Sequence, residues 1–112
     1  MLPQNAHTLI KLAEVSRKLL RFKSPFSRDI LLFVASSNGE LELRLLFKLM
    51  RMTPAAVRLN VQSLIEGGYL ELRQHPTNRR CKVVCLTAGG WALMREYERQ
   101  IQKSLSGWTQ MN

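Results

Sequence analysis

The chain has 112 residues, 46% of them apolar, and a formal net charge of +9. That length suits one domain with one core, and that apolar share excludes a disordered tail. The charge implies a polyanionic partner, of which nucleic acid is the commonest. No apolar run reaches the ~18–20 residues of a membrane span. Met1-Leu2-Pro3-Gln4-Asn5 has no cationic start before an apolar stretch, so neither membrane nor export is expected.

From Asn5 to Phe22, apolar residues at Leu9, Ile10, Leu12, Ala13, Val15, Leu19 and Leu20 fit one amphipathic helix, with Lys11, Arg17, Lys18 and Arg21 on its other face. Ser24-Pro25 offers an N-cap and a first-turn proline for a second helix. Its run Ile30-Leu31-Leu32-Phe33-Val34-Ala35 is apolar all round and is expected at the centre of the core. Ser36-Ser37-Asn38-Gly39 ends it. Leu41-Glu42-Leu43 reads either as a short strand or as the lead-in to the next helix. Leu43–Met50 then repeats apolar residues at Leu45, Leu46, Leu49 and Met50.

After Arg51-Met52, Thr53 caps the following helix and Pro54 takes its first position. Val57, Val61, Leu64 and Ile65 recur at helical spacing and are expected to face the core. Ala55, Arg58, Leu59, Gln62 and Ser63 form the outer face. Gly67-Gly68 supplies the left-handed residue that stops the helix. Tyr69–Arg73 and Cys81–Leu86 alternate as half-buried strands do, around the tip His75-Pro76-Thr77-Asn78-Arg79-Arg80. Thr87 is expected to cap a last helix that carries Met94, Tyr97, Ile101, Leu105 and Trp108 in one stripe.

Two short helices joined by a three-residue turn have helix-turn-helix spacing, the second being the recognition helix. A hairpin directly after them makes a winged helix. The expected fold is therefore mainly α with a small β-hairpin, in a single domain over 1–112. The helix-turn-helix covers about 43–66, the wing about 69–87, and terminal helices about 5–22 and 88–108.

The stretch Thr53–Gly90 resembles the MarR-type winged-helix transcription regulators. In that family the recognition helix ends Leu-x-x-x-Gly-[aromatic or apolar]-[Val/Leu]. The wing carries Asp-x-Arg, and the strand leaving it Val-x-Leu-Thr-x-x-Gly. Here these positions read Leu64-Ile65-Glu66-Gly67-Gly68-Tyr69-Leu70, Asn78-Arg79-Arg80 and Val84-Cys85-Leu86-Thr87-Ala88-Gly89-Gly90, with no gap. Two positions depart: Asn78 stands for the wing Asp, and Leu72 for an Arg that often ends the first wing strand, with Arg73 one place on. The resemblance implies a homodimeric, sequence-specific regulator of double-stranded DNA, a repressor in a bacterial or archaeal cytoplasm, associated with the nucleoid. Relatives often shape a small-molecule pocket between their terminal helices; nothing in this chain singles out an effector.

From Arg44 to Lys82 there are eight Lys or Arg against two Glu, so this segment alone carries +6. Arg58, Gln62 and Ser63, with Ala55 and Leu59, are candidates for base readout. Arg pairs bidentately with guanine and Gln with adenine, each worth ~1–3 kcal/mol of discrimination. Arg44, Lys48, Arg51, Thr53 and Arg73 are placed for phosphates, which position without reading sequence. Asn78, Arg79, Arg80 and Lys82 form a wing suited to the negative potential of a narrow minor groove. Leu9, Leu12, Leu19, Ile101, Leu105 and Trp108 exceed what one small core hides, so they are expected to pair across a twofold axis.

Cys81 and Cys85, four apart on one strand, would lie ~13 Å apart at ~3.3 Å per residue. A mutual disulfide needs ~7 Å or less, which leaves oxidation or an intermolecular disulfide open. A zinc site would need two more ligands, and only His7 and His75 are on offer, so no metal and no cofactor is expected. No Ser/His/Asp set, phosphate loop or carboxylate pair stands out, and the two histidines lie far from the eight acids in any obvious pattern. An enzyme is not expected. Two other readings stay open: a protein-interaction module, since winged helices also serve as docking pieces, and a nonspecific architectural DNA-binding protein.

Overall fold

A computed structural model describes residues 9–10, 13–14, 17 and 24–110, without the side chains of 104 and 106–110. The chain falls into two compact units. One is Phe22–Met94; the other joins the N-terminal segment to the residues from Arg95 onward. In that second unit Leu9, Ile10, Ala13, Glu14 and Arg17 are helical and exposed. The remainder of the expected 5–22 helix lies outside the described residues. Among the described residues no helix is long and apolar enough to cross a membrane.

Helix α1 is Pro25–Ser36. Ser24 is its N-cap, and the Ser24 hydroxyl oxygen accepts the Phe26 N–H at 3.2 Å. The helix buries Ser27, Ile30, Leu31 and Val34, one stripe at three- and four-residue steps. Ile30, Leu31 and Val34 are fully buried, so the helix is central to the core as expected, while Leu32 is 39% exposed, because a helix packed on one side hides only that side. The chain then turns through Asn38 and Gly39, both at positive φ. The Gly39 N–H returns to the Val34 carbonyl at 2.9 Å.

Strand β1, Glu40–Glu42, resolves the ambiguity at Leu41 in favour of a strand. Helix α2, Leu43–Met50, buries only Leu46. Its apolar repeat is thus mostly uncovered, with Leu45 at 41% and Leu49 at 47% exposure. Arg51 closes α2 in the left-handed region at φ 54°.

Helix α3 is Pro54–Glu66, capped by Thr53, whose Oγ1 accepts the Ala56 N–H at 3.2 Å. It buries Val57, Val61 and Leu64; Ile65 is only half-buried. Its end is a Schellman motif: Tyr69 N–H to Leu64 carbonyl and Gly68 N–H to Ile65 carbonyl, both 3.0 Å. Gly68 takes the left-handed position at φ 84°. A bond invisible to periodicity ties α1 to α3. Buried Ser27 donates its hydroxyl to Asn60 Oδ1 at 3.0 Å, and Asn60 Nδ2 donates to the Ala56 carbonyl at 2.8 Å.

Strands β2, Leu70–Gln74, and β3, Lys82–Leu86, form the hairpin in register Leu70↔Leu86 to Gln74↔Lys82. Strand β1 adds to the other edge of β3 with Leu41 opposite Val84, so the sheet is three-stranded in the order β1-β3-β2. Helix α4 runs Ala88–Gln110. Thr87 starts it: its Oγ1 accepts the Gly90 N–H at 3.1 Å and donates to the Gly68 carbonyl at 2.6 Å. This one hydroxyl locks the helix start onto the turn that ends α3. Val84, Leu86, Leu70 and Met94 close the core with Ile30, Leu31, Val34, Leu46 and the buried face of α3. Each such side chain contributes about 1.5–3 kcal/mol through burial.

Candidate nucleic-acid interface

Burial of Val57, Val61 and Leu64 decides which face of α3 is left for a partner. Ala55, Arg58, Leu59, Gln62 and Ser63 are all exposed. Leu59 stands out at 75% exposure. An apolar tip between Arg58 and Gln62 matches the mixed demands of base edges, which carry acceptors, donors and the thymine methyl.

The wing tip is braced by its own polar groups. His75 N–H donates to the Cys81 carbonyl and Cys81 N–H to the Asn78 carbonyl, each at 3.0 Å. Gln74 Nε2 donates to the Arg79 carbonyl at 2.8 Å. Asn78 Oδ1 accepts the Arg80 N–H at 3.1 Å. His75 Nδ1 accepts the N–H groups of Thr77 and Asn78, both at 3.2 Å. An acceptor Nδ1 puts the neutral ring's proton on Nε2, and that atom lies 3.5 Å from Glu42 Oε1. The expectation that the histidines stand apart from the acids fails here. His75 and Glu42 are 33 residues apart in sequence and meet only because β1 pairs with β3.

Two shallow grooves join the helix face to the wing. One is lined by Leu43, Arg44 and Phe47 of α2, Arg58 of α3, and Arg80, Cys81 and Lys82 of the wing. The other is lined by Leu43, Arg58, Val61, Gln62, Ile65, Leu72 and Lys82. Arg58 and Lys82 border both, so α3 and the wing open on the same side of the Phe22–Met94 unit.

The cations there fall into two groups. Arg44 Nε is bound to Glu42 Oε2 at 2.8 Å, and Arg73 pairs with Glu71. In each case the hydrogen-bonded carboxylate raises the guanidinium pKa above its ordinary value. Lys48, Arg51, Arg58, Arg79, Arg80 and Lys82 have no carboxylate partner among the described residues. The Arg58 guanidinium instead lies over the Phe47 ring, its carbon 5.3 Å from the ring centroid. Phe47 and the Ser27–Asn60 bond are features that the sequence pattern did not single out. Thr53, expected at a phosphate, is exposed while its Oγ1 caps α3.

Cys81 sits just outside β3 and is half-buried, whereas Cys85 is buried in it; both are free thiols. Burial pushes the Cys85 thiol pKa up, and the charge of Arg73 opposes that. Of the six residues expected at a dimer interface, Leu9 and Leu105 are exposed and Ile101 is half-buried. Leu12, Leu19 and the Trp108 side chain lie outside the described residues. Among the described residues no three His, Cys, Asp or Glu cluster closely enough to hold a metal.

No family model and no curated protein matches the chain. Solved structures do. RV1404 from Mycobacterium tuberculosis matches with a TM-score of 0.80 at 19% identity, over 93% of this chain and 70% of that one. The YusO protein from Bacillus subtilis matches at 0.75 and 16% identity, over 96% and 74%. A mutant MarR from E. coli, complexed with operator DNA, matches at 0.70 and 19% identity, over 92% and 71%. The resemblance carried by Thr53–Gly90 therefore extends through the architecture: the chain adopts the winged-helix fold of the MarR-family transcriptional regulators.

Proposed function

We propose that this protein is a sequence-specific regulator of transcription that binds double-stranded DNA as a homodimer. The observation that carries the reading is the pair of adjoining grooves that share Arg58 of α3 and Lys82 of the wing, with Arg80 lining one groove and Gln62 the other. A duplex on that side would receive α3 in its major groove and the wing along the neighbouring minor groove. A protein of the same fold has been captured on operator DNA, and the +6 of Arg44–Lys82 suits the same polyanion. The apolar residues Leu9, Ile101 and Leu105 support a twofold dimer reading two half-sites about one helical turn apart. A dimer seated over a promoter would exclude polymerase, so repression is the expected output.

Selection from a randomised duplex library, followed by competition with unrelated DNA, tests this directly. The expected result is one preferred, roughly palindromic site that resists the competitor. Equal competition by any duplex would favour an architectural binder. Indifference to duplex DNA at low ionic strength would overturn the reading and favour a protein-docking module.

A further inference from the structure

Arg58 and Lys82 are the exposed cations common to both grooves, and beneath Arg58 lies an aromatic ring. We propose that Phe47 is a positioning residue for Arg58: its ring holds the guanidinium plane ready for one guanine and so sets specificity at a base it does not touch. The inference rests on the proposed DNA-binding function.

A free arginine side chain spreads over many rotamers, and that freedom is lost when it grips a base. Stacking on the ring face removes part of this cost beforehand. It also consumes no N–H group. Arg44, by contrast, has already given its Nε to Glu42. Arg58 keeps its donor edge for the O6 and N7 acceptors of guanine. Phe47 comes from α2 and Arg58 from α3, so the pair also fixes how the helix-turn-helix presents its reader. An aliphatic residue could fill the same space, but only a π face attracts the cation.

The experiment compares wild type, F47L, F47W, R58A and the F47L/R58A double variant on the site selected by the wild type and on its single-base variants. R58A should lose discrimination at one guanine. F47L should lose about three- to tenfold at that same position and leave the other positions unchanged. F47W should restore the wild-type ratio, and the double variant should be no worse there than R58A. R58K, which keeps Phe47 and the charge but not the planar fork, serves as a second probe should F47L fail to fold; it should lose the same discrimination. A ratio unchanged in F47L, a uniform loss at every position, or an R58K as selective as wild type would overturn the inference while leaving the regulator intact. A wild type without any base preference would overturn the proposed function itself, and this inference with it.

Discussion

The Oδ1 atom of Asn78 accepts the backbone N–H of Arg80 at 3.1 Å. A neutral amide thus braces the wing where the resembling family carries a carboxylate. One such bond contributes about 0.5–1.5 kcal/mol. Asn78→Ala should therefore loosen the tip and weaken duplex binding about two- to tenfold, with the unfolding midpoint little changed. Asn78→Asp keeps the acceptor but sets a negative charge beside Arg79 and Arg80. It too should weaken binding, and more at low salt than at high. Fluorescence anisotropy across a salt series distinguishes the two variants; a wild-type affinity for both would remove the tip from the interface.

Acid pairing sorts the basic residues into those free to meet phosphate and those already engaged. Arg80→Ala should flatten the dependence of log K on log salt by ~0.9 for each phosphate that is no longer neutralised. Glu71→Gln should act in the opposite sense, because it releases Arg73. Affinity should rise and the slope should steepen by up to ~0.9. A Glu71→Gln slope equal to wild type would place Arg73 away from the DNA backbone.

Gly90 marks a close approach of two elements. A methyl group there would run into the Tyr69 carbonyl oxygen and the Leu86 side chain, and a backbone carbonyl cannot rotate aside as a side-chain tip can. Gly90→Ala should cost about 1–3 kcal/mol, as overpacking does. That corresponds to a fall in Tm on the order of 5 °C or more. Calorimetry of the variant checks it, and an unshifted Tm would mean that α4 can slide off the hairpin without penalty.

Glu96 is held to a pKa of about 2, against an ordinary 4.5, by its hydrogen bond from Arg99 and then by that from Gln100. Because the native carboxylate is the weaker base, the unfolded state binds more protons between those values, and stability rises with pH there. The contribution is complete above the ordinary value and is lost as pH falls through about 2. Thermal unfolding followed from about pH 5 to pH 2 should show a steeper decline in wild type than in Glu96→Gln. Parallel curves would show that this exposed pair adds nothing, as many surface pairs do.

Local chemistry was the legible part of this chain. Ser24, Thr53 and Gly68 act through neighbours two or three residues away, and each does in the fold what its residue type suggests. Period also separated the two faces of α3, because Val57, Val61 and Leu64 form a core stripe that no other residue of that helix shares. Period could not tell that Leu45 and Leu49 stay exposed while Leu46 is buried. An apolar residue records only a tendency to be covered, and coverage depends on elements distant in sequence. The same limit hid the candidate site's fine structure. Asn60 meets Ser27 across 33 residues, His75 meets Glu42 through a strand pairing, and Phe47 meets Arg58 across the turn. None leaves a short-range signature, although Thr87 did announce the start of α4, where its Oγ1 accepts the Gly90 N–H.

Hydroxyl-radical footprinting of the wild type, Arg58→Ala and Arg80→Ala on the selected duplex bears most directly on the claim that α3 and the wing grip one stretch of DNA. Wild type should protect a major-groove segment and the adjoining minor groove on one face of the duplex. Arg80→Ala should lose only the minor-groove part, and Arg58→Ala should keep it. Protections that fall on separate faces, or a footprint that neither variant alters, would contradict the account.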